Sequence, residues 1–324
     1  MSNNKSYINI ELEQLNNQRK IKNKNDEDNH INIKIFLLFN LLFFIITIFI
    51  LYIEKQTINN KIESIIENET FIYQNKLIYK NILKFNLNEL INPMKVLGKN
   101  KIRLGNKHDG GYILLDDFDQ IKIAYSLGIS NETSFDKELA DKNIDIFMYD
   151  NTIEKLPYNN TRFHWKKIGI TGNTTIKKDD MKSLEEIITE NGHSTEQNMI
   201  LKIDIESSEW QVFENLPNNI LNQFKYIVGE FHFSDYGSIK YYEILKKIQN
   251  THQVFHLHCN NYGRIIDIRG YKICNALEMS FIIKEGHQFV NDDSIYPING
   301  LDNKNCDSKK EISYILNILN EINP

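Results

Sequence analysis

Residues 199–210, MILKIDIESSEW, decide how this chain folds. Met199 to Asp204 alternate loosely between apolar and polar positions and are rich in aliphatic side chains, the pattern of a buried strand. The run then breaks into Asp204, Glu206 and Glu209, three carboxylates within six positions. Serines 207 and 208 follow the break, and a serine ahead of Glu209 and Trp210 marks a helix start, so a helix is predicted over 208–216. A strand that delivers acids to its carboxyl end and then turns into a helix belongs to an open α/β sheet, whose ligands bind at those ends. Taken alone, the stretch also reads as an acidic surface turn after an ordinary strand.

Outward from it, strand and helix signals alternate. Residues 101–117, KIRLGNKHDGGYILLDD, read as a turn at Asp109-Gly110-Gly111 followed by a strand over 112–115. Further strands are predicted at 121–127, 145–149, 163–168, 199–205 and 225–233, with helices at 134–140, 183–189 and 238–249. Strands at 253–257 and 279–283 lack a clear helix between them and are predicted as an antiparallel edge hairpin. Strands alternating with helices of about ten residues are βαβ units. The fold class is therefore α/β: a mostly parallel sheet with right-handed crossovers, helices on both faces and antiparallel edge strands.

With 324 residues, 41% of them hydrophobic, the chain can bury the core of one large domain and still carry an appendage. Its formal net charge of -5 supplies no basic field for nucleic acid. Three cysteines, Cys259, Cys274 and Cys306, are too few for a disulfide framework or a zinc site, and leave room for one disulfide. Residues 35–53, IFLLFNLLFFIITIFILYI, carry no charge over 19 positions, just enough for a helix to span a bilayer. Arg19, Lys20, Lys22, Lys24 and Lys34 precede this run, against Lys55 and Lys61 just after it. That asymmetry keeps the N-terminus cytoplasmic and sends the rest across the membrane. A long polar leader and an overlong apolar run set a cleaved signal peptide aside. The expected organisation is a disordered cytoplasmic tail (1–34), a transmembrane helix (35–53), a helical stalk able to self-associate (54–95) and a compact domain (96–324). Such a chain is a type II membrane protein with its domain in the lumen of the endoplasmic reticulum or Golgi.

The strand over 121–127 ends in Tyr125-Ser126-Leu127-Gly128, and the next one stops on Asp150, 22 positions after Gly128. A glycine in the first turn and an acid ending the second strand suit a ribose-bearing cofactor. The acid accepts hydrogen bonds from the ribose hydroxyls, and the glycine lets the cofactor approach the backbone. A dinucleotide needs G-x-G-x-x-G to bring amides to its pyrophosphate, and Gly128 stands alone. S-adenosylmethionine has a ribose and no phosphates, so the glycine count favours a methyl donor over NAD. Tyr125, Ser126, Gly128 and Asp150 are the candidate cofactor contacts.

Several blocks then carry a resemblance: AYSLGISNETSFDKELA (124–140), DIFMYDNTIEKLP (145–157), FHWKKIGITG (163–172), SLEEIITENGH (183–193), ILKIDIESSEW (200–210) and IVGEFHF (227–233). With GGYILLDDF (110–118) ahead of them, they resemble the successive blocks of the FkbM-like, methyltransferase-like protein 24 type methyltransferases, over about residues 96–285. The resemblance implies a class I Rossmann-like methyltransferase fold, S-adenosylmethionine as cofactor, and O-methylation as the activity. The family's central block usually reads aspartate-isoleucine-glutamate-glycine, whereas here Ser207 takes the glycine's place. The positive φ that glycine permits is expected to be lost or strained.

Methyl transfer needs an in-line nucleophile and removal of its proton. Asp204 and Glu206 from the central strand, with Glu230 and His232 from the next, are expected at adjacent strand ends, and His232 is the base expected near neutral pH. A strand-edge histidine satisfied by a neighbouring acid is the plainer reading of His232. The same acids could hold a divalent ion, although no metal is assigned. His256, His258 and Cys259 read as alternation on an edge strand, and Trp165 and Trp210 as core. The expected partners are a hydroxyl-bearing small molecule, glycan or lipid and the membrane itself. Two other functions fit parts of the pattern. A Golgi-type glycosyltransferase would use Asp204-Ile205-Glu206 as a metal-binding acid pair, yet its nucleotide diphosphate would find only Lys202 nearby. A membrane-tethered pseudo-methyltransferase would serve as a binding module, and Ser207 is its best support.

Overall fold

In a computed structural model of the protein, residues 89–172, 179–234, 238–268 and 271–312 are described. The expected tail, the transmembrane helix and the stalk before residue 89 lie outside them. Among the described residues no helix is long and apolar enough to cross a membrane.

The chain enters on β1 (Met94–Val96), then makes a hairpin of β2 (Lys101–Gly105) and β3 (Gly111–Leu115). Next come β4 (Ile123–Leu127), α1 (Ser134–Asp141), β5 (Asp145–Tyr149) and β6 (Phe163–Lys166). A short parallel pair, β7 (Gly169–Ile170) and β8 (Met181–Lys182), leads to α2 (Leu184–Glu190) and the central β9 (Met199–Ile203). Then follow α3 (Glu209–Asn215), α4 (Asn218–Leu221), β10 (Phe224–His232), α5 (Ser238–Gln249) and β11 (His252–Cys259). A hairpin of β12 (Ile265–Ile268) and β13 (Tyr271–Cys274), then β14 (Ala276–Ile283) and β15 (Phe289–Asn291), complete the described elements.

Seven strands form one sheet in the order β11-β14-β10-β9-β4-β5-β6. The five from β10 to β6 are mutually parallel, as alternating strand and helix signals require. The expected antiparallel edge hairpin is corrected in one respect. β14 runs antiparallel to both its neighbours but lies inside the sheet, between β10 and β11. Its sequence ALEMSFII is buried at seven of eight positions, and such a run finds cover only with neighbours on both sides.

Alternation along β9 sends side chains to both faces. Leu201 and Ile203 enter one core with Phe213, Phe231 and the α5 residues Ile244, Leu245 and Ile248. Ile200 joins the other, with Leu114, Phe135, Leu139 and Val228. Each fully buried side chain of this size contributes roughly 1.5–3 kcal/mol relative to exposure. Leu90 and Ile91, at the end of the predicted stalk, are buried in the first core, and β1 pairs antiparallel with β15.

Helix starts differ in kind. Ser183 and Glu186 make a reciprocal capping box at α2. Ser208, expected to open α3 through its side chain, makes no such bond because its own backbone is already helical, with φ -87° and ψ -8°. Glu209 instead accepts from the amide of Ile205 at 2.8 Å.

His256 and His258 do alternate along β11, an edge strand of the large sheet, as the sequence suggested. Both are buried. His256 pairs with Asp302 at 2.7 Å and His258 with Glu278 at 3.0 Å. The segment over 292–312 covers them: Asn261 exchanges two hydrogen bonds with the backbone of Cys306, and Asp302 accepts from the amide of Ile298. Cys259 and Cys274 form the one disulfide for which the sequence left room, tying the end of β11 to the end of β13.

His252 links core to pH. It is fully buried; Nε2 donates to the carbonyl of Phe224 and Nδ1 accepts from the Thr251 hydroxyl, each at 2.9 Å. The neutral ring is thus satisfied, and burial pushes its pKa down to about 4 despite the Phe224 carbonyl. The unfolded chain binds the extra proton first, so stability falls as pH drops from about 6.5 towards 4. Between pH 7 and pH 5 His252 should cost about 2 kcal/mol of stability, read as a lower urea midpoint. His252→Gln should flatten that dependence, and an unchanged slope would reject this origin.

Candidate active site

The chain runs from β4 to β5 and β6 on one side, then crosses back to β9 and β10 on the other. A reversal of this kind opens a crevice beyond the carboxyl ends of the two strands that flank it, here β4 and β9. Their ends stay closed together. The Asp204 amide donates to the Leu127 carbonyl at 2.9 Å. Gly128 has φ +79°, and a Cβ there would stand 1.7 Å from the Asp204 carbonyl oxygen. The glycine therefore serves the approach of two backbones. Lys202, on the same face of β9 as Asp204, donates to the Gly128 carbonyl and lies over the Tyr112 ring. The Tyr112 hydroxyl donates to Asp204 Oδ2 at 3.1 Å.

The four expected cofactor contacts have different fates. Tyr125 is a core residue, packed on Phe147 and Tyr149, its hydroxyl bound to His193 Nδ1 at 2.8 Å. Ser126 is buried as well. Asp150 does stand at the end of β5. Its Oδ2 accepts from the amides of Ile129 and Ser130 at 2.8 and 2.9 Å, and its Oδ1 from the amide and hydroxyl of Thr152 at 2.7 and 2.6 Å. Burial opposes its charge, but these donors outweigh burial and hold its pKa below the usual carboxylate range. A carboxylate has about four acceptor positions, and all are in use. Only Thr152 Oγ1 can rotate away to admit another hydroxyl.

The four expected catalytic residues do converge. His232 Nε2 lies 3.1 Å from Glu230 Oε1 and 3.6 Å from Glu206 Oε2, while Nδ1 lies 3.3 Å from Glu209 Oε1. Trp210, a core residue as expected, donates to the His232 carbonyl at 2.6 Å and so fixes the backbone beneath the ring. Burial disfavours the imidazolium, yet Glu209 and Glu230 raise its pKa far above neutrality. These glutamates favour the imidazolium over the neutral base that the sequence suggested.

Glu230 is raised above the carboxylate range by burial, and the negative charges of Asp204 and Glu278 add to this against His232. Its Oε2 accepts from Asn260 at 2.6 Å. Glu230 stands directly opposite Glu278 across β10 and β14, and Glu278 opposite His258 across β14 and β11. Asn305 donates to Glu278 and to Asp109, joining the turn before β3 to this row. Sequence reasoning missed Asp109, Asn260, Glu278 and Asn305. The predicted strand over 279–283 started one residue after Glu278, and strand register, which puts the two glutamates face to face, has no sequence signal here.

A mostly parallel seven-stranded sheet with its candidate site at the carboxyl-end crossover is compatible with a Rossmann-like fold. No protein-family model matches the chain. A human protein described as probable methyltransferase-like protein 24 is 26% identical to it over 153 residues, covering 41% of each chain. The chain thus spans about two fifths of the length of that relative. The match supports a methyltransferase-like family for this chain.

The turn between Asp204 and α3 keeps its left-handed geometry without glycine: φ is +52° at Glu206 and +80° at Ser207. Of the two expected outcomes, strain is the one realised. Ser207→Gly should therefore raise stability by about 1 kcal/mol, seen as a higher urea midpoint at unchanged slope. No gain would mean that the turn carries no strain at this position.

Proposed function

We propose that this chain is an S-adenosylmethionine-dependent methyltransferase that O-methylates a hydroxyl-bearing acceptor. The observation that carries the reading is the meeting of Asp204, Glu206, Glu230 and His232 beside the β4–β9 crossover, in a chain whose relative is methyltransferase-like. The residues present fit the cofactor by charge. Ionised Asp150 offers an acceptor for a ribose hydroxyl once Thr152 Oγ1 turns away, and Asp204 and Glu206 offer negative charge to a sulfonium. When bound, the cofactor supplies an electrophilic methyl group.

The chain's own groups then divide the work. Glu230, at the rim of β10, is placed to take the acceptor's proton. The imidazolium of His232 and the amide of Asn260 hold its two oxygens in place. Asp204, oriented by Tyr112, is placed to align the acceptor.

We further propose that residues 35–53 anchor the chain and that the domain lies across the membrane. The Cys259–Cys274 disulfide supports an oxidising compartment, and the basic residues before position 35 support the orientation. Protease added to intact microsomes should then spare everything beyond about residue 55, where the charge asymmetry changes sides. Digestion of the domain would place it in the cytosol.

Calorimetry with S-adenosylmethionine, sinefungin and nucleotide sugars tests the cofactor. The first two should bind. Asp150→Asn should weaken them about tenfold or more through loss of a charge-assisted acceptor. Thr152→Val, which removes only the exchangeable donor, should leave affinity equal or higher. Heat from nucleotide sugars alone would overturn the reading in favour of glycosyl transfer.

A further inference from the structure

Asp204 and Glu206 leave the end of β9, and His232 ends β10. One ligand atom of each lies within 4.8 Å of the others. The group is not a mere collection of surface acids, because the ring of His232 is aimed. Glu209 holds Nδ1 from behind and leaves Nε2 facing Glu206 and Glu230. A carboxylate behind the imidazole fixes which nitrogen faces a metal; ligating histidines almost always have a carboxylate, a backbone carbonyl or a water in that place.

Glu209 supplies a second, separate observation. It is completely buried, and its Oε2 has no hydrogen-bond partner among the described residues, although its Oε1 reaches both His232 and the Ile205 amide. A buried carboxylate oxygen without a partner calls for a further group to meet it. The described ion pairs of Glu206, Glu209 and Glu230 all run to the one imidazole. The remaining donors on Asp204 and Glu230, Tyr112 and Asn260, are neutral. The left-handed turn adds a third feature: it swings Glu206, whose side chain is 89% exposed, back to within 3.6 Å of the ring.

We propose that Asp204, Glu206 and Nε2 of His232 bind one divalent first-row transition ion, with Glu209 as the positioning residue behind the histidine. Two carboxylates and one imidazole make a mixed oxygen and nitrogen set, which suits Mn2+ better than the all-oxygen preference of Ca2+ or Mg2+ or the thiolate preference of softer ions. When the ion binds, the Nε2 proton leaves and Nε2 exchanges its contact with Glu230 for the ion, so that only Asn260 then holds Glu230. Such an ion would lower the pKa of a coordinated hydroxyl. That role beside the acceptor rests on the methyltransferase reading, whereas the ion site itself rests on geometry alone.

The test uses the full chain, stripped with a chelator and dialysed, with free Mn2+ followed by electron paramagnetic resonance and binding heat by calorimetry. One Mn2+ per chain should bind saturably. Glu206→Gln, a change at an exposed side chain that leaves the fold intact by circular dichroism, should weaken binding about tenfold or more. Glu209→Gln should weaken it by about 10–100-fold through the histidine. Asp109→Asn, in the neighbouring acidic group, should leave it unchanged. Absence of saturable uptake at millimolar Mn2+ would overturn the site. So would uptake that survives Glu206→Gln, or that follows Asp109→Asn instead. Uptake with the expected mutational pattern supports the site whether or not S-adenosylmethionine binds, so the two readings fail separately.

Discussion

The contact between Gly128 and the carbonyl of Asp204 is the constraint on which the crevice depends. β4 and β9 are parallel neighbours, and the chain leaves them in opposite directions, which ordinarily lets their ends splay. Here the Asp204 amide still pairs with Leu127, one residue beyond β9, and the missing side chain at 128 lets the backbones meet. Lys202 reinforces the junction from the next turn of the pleat. With these ends fixed, Asp204 is held at a defined height beside the end of β10, and the distances from His232 to its carboxylates follow from sheet geometry. A side chain at 128 would part the strands, and the rim would lose its shape before any reacting group was touched.

The second theme is charge. Asp109, Asp204, Glu206, Glu209, Glu230 and Glu278 crowd one rim, and like charges placed directly across strands repel. The protein answers with two imidazoles, His232 and His258, and with asparagine amides that donate without adding charge. Much of this answer comes from outside the central blocks. Asn305 and Glu311 arrive on the final described segment, and Asp109 on the turn before β3. The rim is therefore assembled from chain segments nearly two hundred residues apart.

That assembly explains what the sequence could and could not disclose. The βαβ alternation and the parallel core were legible because apolar runs of strand length repeat between amphipathic helices. Asp204, Glu206, Glu230 and His232 were picked out because each lies at or just beyond the carboxyl end of such a run. What stayed hidden depends on pairing. Nothing in ALEMSFII states that it inserts between β10 and β11, and only that insertion faces Glu278 with Glu230. The role of His232 was hidden for a similar reason: its unperturbed pKa suggests a base, but Glu209 and Glu230, brought by two different elements, raise it and favour the imidazolium. Tyr125 misled in the opposite way, because a polar tip near a strand end looks like a ligand contact when its hydroxyl is already spent on His193.

The two margins of the large sheet are unlike. β1 lies along β11, with Tyr296 reaching the Phe255 carbonyl, so that margin is covered by the chain itself. β6 is the other margin, four residues long, with Arg162, Lys166 and Lys167 at and around it; Phe163 and Trp165 pack against the core while His164 and Lys166 are exposed. Short, charged edge strands resist pairing with the edge of a second molecule. Even when crowded together on a surface, copies of this domain have little backbone to offer one another, which guards them against strand-to-strand aggregation.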